Sequence, residues 1–276
     1  MLDILRAGAA VAAIGLVASP AVAQAATAPP GYTVVHSPLM PAPPSTLDSG
    51  GQISCPAGTV IWGGGTAIAG IPAPGQTINT SAPGGPTSWR ARVNDAGPGT
   101  AQFAVDAICA KKPKGYAMPF TQAANPAGTQ TTATATCPAN TVIFDGGVFS
   151  TSDSARTAVT SAFPAGNTRF TATVFNGTDA NQGMDVFAIC GHKPTGYKVV
   201  RSSGTADPTG TPVVITGGPG CPHGTSVIGG GARVATPLPT TPLGQSIDGG
   251  GMNWVSTIVS TSTQPVTDTF ATICAA

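Results

Sequence analysis

The chain has 276 residues, of which only 8% are charged; none is glutamate, and the net charge is +1. A chain so nearly neutral has no field with which to gather nucleic acid or anionic lipid. Its length allows one sizeable core or three small ones.

Residues 1–23 have the layout of a secretory signal peptide, with Arg6, an apolar run Ala7 to Ala18, and Ala21-Val22-Ala23 before Gln24. The run is too short to cross a bilayer. Residues 24–30 are expected to be disordered, and no later apolar stretch is long enough for a membrane span. Leu238-Pro239-Thr240-Thr241-Pro242 lacks the glycine and the apolar tail of a cell-wall sorting signal.

From residue 31 one pattern occurs three times, over about 31–114, 115–195 and 196–276, with a period of about 83 residues. Each copy begins with Gly-Tyr: Gly31-Tyr32, Gly115-Tyr116 and Gly196-Tyr197. Next comes a cysteine turn, Cys55-Pro56-Ala57-Gly58-Thr59, Cys137-Pro138-Ala139-Asn140-Thr141 or Cys221-Pro222-His223-Gly224-Thr225. Asn140 replaces a glycine there, which predicts a left-handed backbone at that position. A glycine run follows: Gly63-Gly64-Gly65, Asp145-Gly146-Gly147 and Gly229-Gly230-Gly231. Such a run permits a bulge or a turn of positive φ.

Short strands are expected at Thr77–Ser81, Thr157–Ser161 and Gly244–Ile247. A strand headed by an aromatic comes next, at Trp89, Phe170 and Trp254, and the closing strand ends at Cys109, Cys190 or Cys274. Period-two spacing puts Trp89, Ala91 and Val93 on one face, with Phe170, Ala172 and Val174, and Trp254, Ser256 and Ile258, as their counterparts. That face is expected to be core. No segment after residue 23 has helical periodicity.

Six cysteines behind an export signal point to disulfides. The copies select 55–109, 137–190 and 221–274, with separations of 54, 53 and 53 residues. No C-x-x-C or histidine cluster suggests a metal, and no cofactor is expected. The expected fold is all-β, a pseudo-threefold β-prism with one sheet per copy around a shared axial core. In it the first Gly-Tyr strand closes the ring against the last copy. Three tandem β-sandwiches are the alternative, and a β-trefoil would need copies about half as long.

The assembled pattern, Gly-Tyr-x-Val-Val, Cys-Pro-x-Gly-Thr-x-Val-x-x-Gly-Gly-Gly, an aromatic strand and Ala-Ile-Cys, resembles repeats in exported actinobacterial proteins without an assigned activity. It is similar, more distantly, to the threefold β-prism of vitelline membrane outer layer protein. That likeness implies an extracellular matrix or carbohydrate-associated role and carries over no residue.

Chemistry-bearing residues are sparse. His36, His192 and His223 occupy different copy positions, and Lys111, Lys112 and Lys114 form a solvated turn. Asp106, Asp145 and Asp185 are the aspartates from which a glycosidase pair could be drawn. Asp48-Ser49-Gly50-Gly51 mimics a serine-protease nucleophile motif, yet its flanks and early position fit a turn better. Trp62, Trp89 and Trp254 align with other apolar residues, as core positions do. Asn79-Thr80-Ser81 and Asn176-Gly177-Thr178 match the N-glycosylation pattern. Ligand contacts are expected in the loops 66–88, 148–169 and 232–253. The expectation is therefore a secreted or cell-wall-associated, non-enzymatic structural or binding module, with an envelope glycan or surface protein as partner. A polysaccharide hydrolase and a protein-binding or inhibitory module are the alternatives.

Overall fold

The computed structural model describes residues 28–42, 49–70, 72–73, 75–96, 100–207, 213–235 and 241–276. The predicted leader, Asp48 and most of the sorting-like segment lie outside them. The first copy forms β1 (Thr33–His36), β2 (Met40–Ala42), β3 (Ser49–Ser54), β4 (Val60–Ile68), β5 (Gln76–Gly85), β6 (Ser88–Asp95) and β7 (Ala101–Ala110). The second forms β8 (Phe120–Asn125), β9 (Gln130–Thr136), β10 (Val142–Ser150), β11 (Thr157–Pro164), β12 (Arg169–Asn176) and β13 (Gln182–Gly191). The third forms β14 (Lys198–Ala206), β15 (Val213–Gly217), β16 (Ser226–Val234), β17 (Leu243–Asp248), β18 (Trp254–Ser260) and β19 (Val266–Ala275).

These strands make three antiparallel sheets. The first has the order β1-β7-β4-β17-β18-β15, with β2 also on β7; the second is β3-β6-β5-β10-β13-β8; the third is β14-β19-β16-β11-β12-β9. The fold is all-β and threefold, as expected, but the expectation of one sheet per copy is corrected. Every sheet draws its strands from two copies, four and three in the first sheet and three and three in the other two. Period-two patterning dictates which face of a strand is buried, not which strand lies beside it. The tandem-sandwich alternative is excluded by the same sharing.

The seams between copies are short. Val148 pairs with Ser81, Ala162 with Ala232, and Ser246 with Thr66. The Ser246–Thr66 seam joins the third copy to the first and closes the ring. The first Gly-Tyr strand does not do so, since β1 pairs with β7 of its own copy. Each copy turns a corner of the prism, where β2 and β3, β8 and β9, or β14 and β15 touch.

Local chemistry sets these elements. Thr59 N donates to Pro56 O while Gly58 has φ +82°, the pattern of a type II turn that needs glycine or asparagine third. Asn140 fills that place with φ 63°. The threonine hydroxyl bonds the same carbonyl in all three copies, at 2.6, 2.7 and 2.6 Å. Trp89, Ala91 and Val93, with Phe170, Ala172 and Val174, are buried as the alternation predicts, and so are Trp254, Ser256 and Ile258.

The disulfides are 55–109, 137–190 and 221–274. Each ties two different sheets. Cys55 follows β3 of the second sheet and Cys109 lies in β7 of the first, so the bond spans two sheets. The other two bonds repeat that arrangement at the other corners.

Candidate functional site

The pseudo-threefold axis is where the copies converge. At the disulfide end β4, β10 and β16 touch one another, and at the opposite end β5, β11 and β17 do. Trp62, Phe144 and Ile228 hold equivalent positions at the first end and are all buried; Trp62 and Phe144 stack with centroids 4.4 Å apart. Trp62 Nε1 donates to Lys111 O at 3.1 Å.

The glycine runs lie inside β4, β10 and β16. Each position has a separate task. The first faces the axis: a Cβ on Gly63 or Gly229 would meet Asp145. The second lies under an aromatic ring, Trp89 on Gly64, Phe170 on Gly146 and Trp254 on Gly230. The third meets the neighbouring copy's backbone across the seam, at Ser246, Ser81 and Ala162. The bulge expected from these runs occurs at Ile61/Gly63, Ile143/Asp145 and Val227/Gly229.

Asp145 is the copy-specific exception. Its side chain fills the space that the two glycines leave, and it is 1% exposed. Its Oδ2 accepts from Gly64 N at 3.0 Å, its Oδ1 accepts from Gly230 N at 3.3 Å, and Gly146 N adds a third bond. One carboxyl group thus gathers a backbone N–H from every copy. Burial pushes its pKa well above the usual carboxylate range, and the three N–H groups oppose that rise.

Below Asp145 the three aromatic rings surround an axial cavity of about 20 Å³. Trp89 Nε1 and Trp254 Nε1 are satisfied there by Ser81 Oγ and Ser246 Oγ. At the far end of the axis a larger pocket of about 220 Å³ opens at the starts of β5, β11 and β17. Gln76 and Thr77 come from the first copy, Arg156 and Phe175 from the second, and Pro242 and Val259 from the third. Arg156 is held by Asp179 at 3.2 Å, and Gln76 Oε1 accepts from Ala73 N at 2.9 Å. The pocket offers an apolar wall with amide, hydroxyl and guanidinium donors at its rim.

The ranges 66–88, 148–169 and 232–253 each contain one of the short strands expected there, β5, β11 or β17, flanked by connecting segments. Their ends do reach the axial pocket, through Gln76, Arg156 and Pro242.

The three candidate aspartates are not brought together. Asp145 is sealed on the axis. Asp106 sits on the first sheet, where His36 Nδ1 donates to its Oδ1 at 2.9 Å. Burial raises the Asp106 pKa against that bond, and the charge of Asp248 raises it further. Asp185 lies on the second sheet, where its charge bears on Arg90. His192 and His223 lie near turns away from this pair. Asn79 and Asn176 are buried with their amides bonded to Ser152 O and to Asn125 O and Ala180 O, so neither is a glycosylation acceptor in the folded chain. Trp62, Trp89 and Trp254 are core, and Ser49 belongs to β3. Among the described residues no cluster of three or more His, Cys or Asp has metal-binding geometry, and no helix is long and apolar enough to cross a membrane. The axial pocket escaped sequence reasoning because its walls are assembled from three distant segments of unlike composition. A scan against protein-family models and a search of curated proteins find no match to this chain.

Proposed function

We infer that the protein is an exported, disulfide-stabilised binding module that takes a small polar ring compound, in the first instance a sugar of an envelope glycan, in the axial pocket. The observation that carries this reading is the position of the pocket. It lies on the pseudo-symmetry axis and draws its walls from all three copies. A site built inside each copy would occur three times, whereas an axial site occurs once. Its mixed wall, Phe175 and Val259 beside Gln76, Thr77 and Arg156, matches a ligand with one apolar face and several hydroxyl groups.

Three disulfides fit an oxidising compartment. The leader-like residues 1–23 and the likeness to exported actinobacterial repeats support the same location. Titration calorimetry with small saccharides from bacterial envelopes tests the reading. It predicts one ligand per chain and a loss of about tenfold in affinity for Phe175→Ala, as befits an aromatic anchor. Three ligands per chain, or no heat from any saccharide, contradicts it.

A further inference from the structure

The outward faces of the three sheets diverge at positions that are equivalent in the copies. Four residues after the turn tyrosine stand His36, Phe120 and Arg201; three before the closing cysteine stand Asp106, Phe187 and Ala271. These are cross-strand partners in each sheet: His36 with Asp106, Phe120 with Phe187, and Arg201 with Ala271. The fold accepts an ion pair, an aromatic pair or a mixed pair there.

On the second sheet the pair is aromatic, with ring centroids 5.6 Å apart and Phe120 56% exposed. Phe149 shares this face, because its partner Asp185 is two residues from Phe187. Across the seam Arg90 and Arg92 of β6 reach the same ring, with their guanidinium carbons 4.0 and 5.5 Å from the Phe149 centroid. A shallow cleft of about 450 Å³ opens beside them, bordered by Gly50, Gly51 and Gln52.

The Arg90 and Arg92 side chains line the cleft, and the Asp185 carboxylate acts on Arg90 from the same face. The Phe149 ring holds the guanidinium in place, which lowers the entropy lost on binding. From β6 to β8 the sheet order gives four strand steps, which at about 4.8 Å each span roughly 19 Å. The face therefore presents guanidinium groups at one end and stacked rings at the other, with the Asp185 carboxylate on the same strand as Phe187.

We propose that this outer face of the second sheet binds an acidic polysaccharide laid across its strands, with a carboxylate on Arg90 and sugar rings on Phe187 and Phe120. A guanidinium fork matches a carboxylate, and the aromatic rings match the apolar faces of sugars. A neutral glycan lacks the first contact and an acidic peptide lacks the second. The site shares no residue with the axial pocket.

The test is calorimetric titration of the protein with an oligogalacturonate, with its neutral methyl ester and with poly-aspartate. The acid is expected to bind, and both others to bind at least about tenfold more weakly. Phe120→Ala should weaken binding of the acid about tenfold with an unchanged melting temperature, since the ring is largely exposed. Arg90→Gln should remove the preference for acid over ester. Arg156→Ala, in the axial pocket, should change none of these values. Equal binding of acid and ester, equal binding of poly-aspartate, no binding of the acid, or no effect of Phe120→Ala overturns the proposal. Loss of binding in Arg156→Ala would assign the acid to the axial pocket and overturn it too.

Discussion

The hydroxyl of Tyr116 donates to the carbonyl oxygen of Ile61, 2.9 Å away in the preceding copy. The same bond recurs around the ring. Tyr197 reaches Ile143 O at 2.9 Å, and Tyr32 reaches Val227 O at 2.7 Å, which takes the first copy back to the third. Each acceptor sits at the bulge that precedes the glycine run. Burial raises the pKa of all three phenols, so they remain donors at any ordinary pH. The Gly-Tyr motif is thus a turn followed by a clasp between copies: Tyr32 N and Tyr197 N close turns on Pro29 O and Pro194 O, and Gly31 and Gly196 have φ +70° and +66°.

Tyr116→Phe removes one clasp and leaves the Ile61 carbonyl short of a partner. The expected loss is about 1 kcal/mol, read from denaturant unfolding. Tyr32→Phe should cost a similar amount although its bond joins the first copy to the third, 195 residues apart. A Tyr32→Phe variant as stable as the parent would show that the ring closes without this contact.

Stability should fall as pH rises above the acid range. Asp106, Asp145, Asp248 and Asp268 are all raised, each chiefly by burial. Their unfolded values lie near 4, so between that pH and the raised values the folded chain keeps protons that the unfolded chain has released. The stabilisation is full below the unfolded values and is lost as pH climbs through the folded ones. Thermal melts from about pH 4 to pH 8 should show the highest Tm at the acid end. Asp145→Asn should flatten that slope, and a Tm that climbs across the window would refute the assignment.

Gly64→Ala places a methyl group in the Trp89 ring. Overpacking of this kind costs about 1–3 kcal/mol. Gly204→Ala on β14 is the control, because its nearest neighbour would be the Asp268 carboxylate at 3.3 Å. That change should stay within about 0.5 kcal/mol. Calorimetric unfolding of both variants separates a packing role for the glycine from a backbone one.

Removal of one disulfide, as Cys55→Ala with Cys109→Ala, opens a closed segment of 54 residues. The chain-entropy model gives a loss of about 4 kcal/mol. Because the bond pins two sheets at a corner, hydrogen exchange should rise first in β3 and β1, the edge strands that meet there. Uniform exchange across all three corners would mean that the bond acts on the whole ring.

Much of the fold was legible in the residues themselves. The cysteine pairs followed from the copies, the left-handed turn followed from Asn140, and the core face followed from the spacing of Trp89, Ala91 and Val93. Strand neighbours were not legible. Thr66 and Ser246 pair across 180 residues of chain, and neither carries a mark of that partner. Asp145 stood out as a departure from Gly63 and Gly229, but its place on the axis required three strands to converge. The axial pocket was hidden for the same reason, since Gln76, Phe175 and Val259 share no local pattern.

The central claim is that three copies share their sheets and close into one ring. Nuclear Overhauser contacts between the backbones of the seam pairs test it most directly. Cross-peaks are expected for Val148 with Ser81, for Ala162 with Ala232 and for Ser246 with Thr66. Cross-peaks confined within each copy, with none at these three pairs, would contradict it.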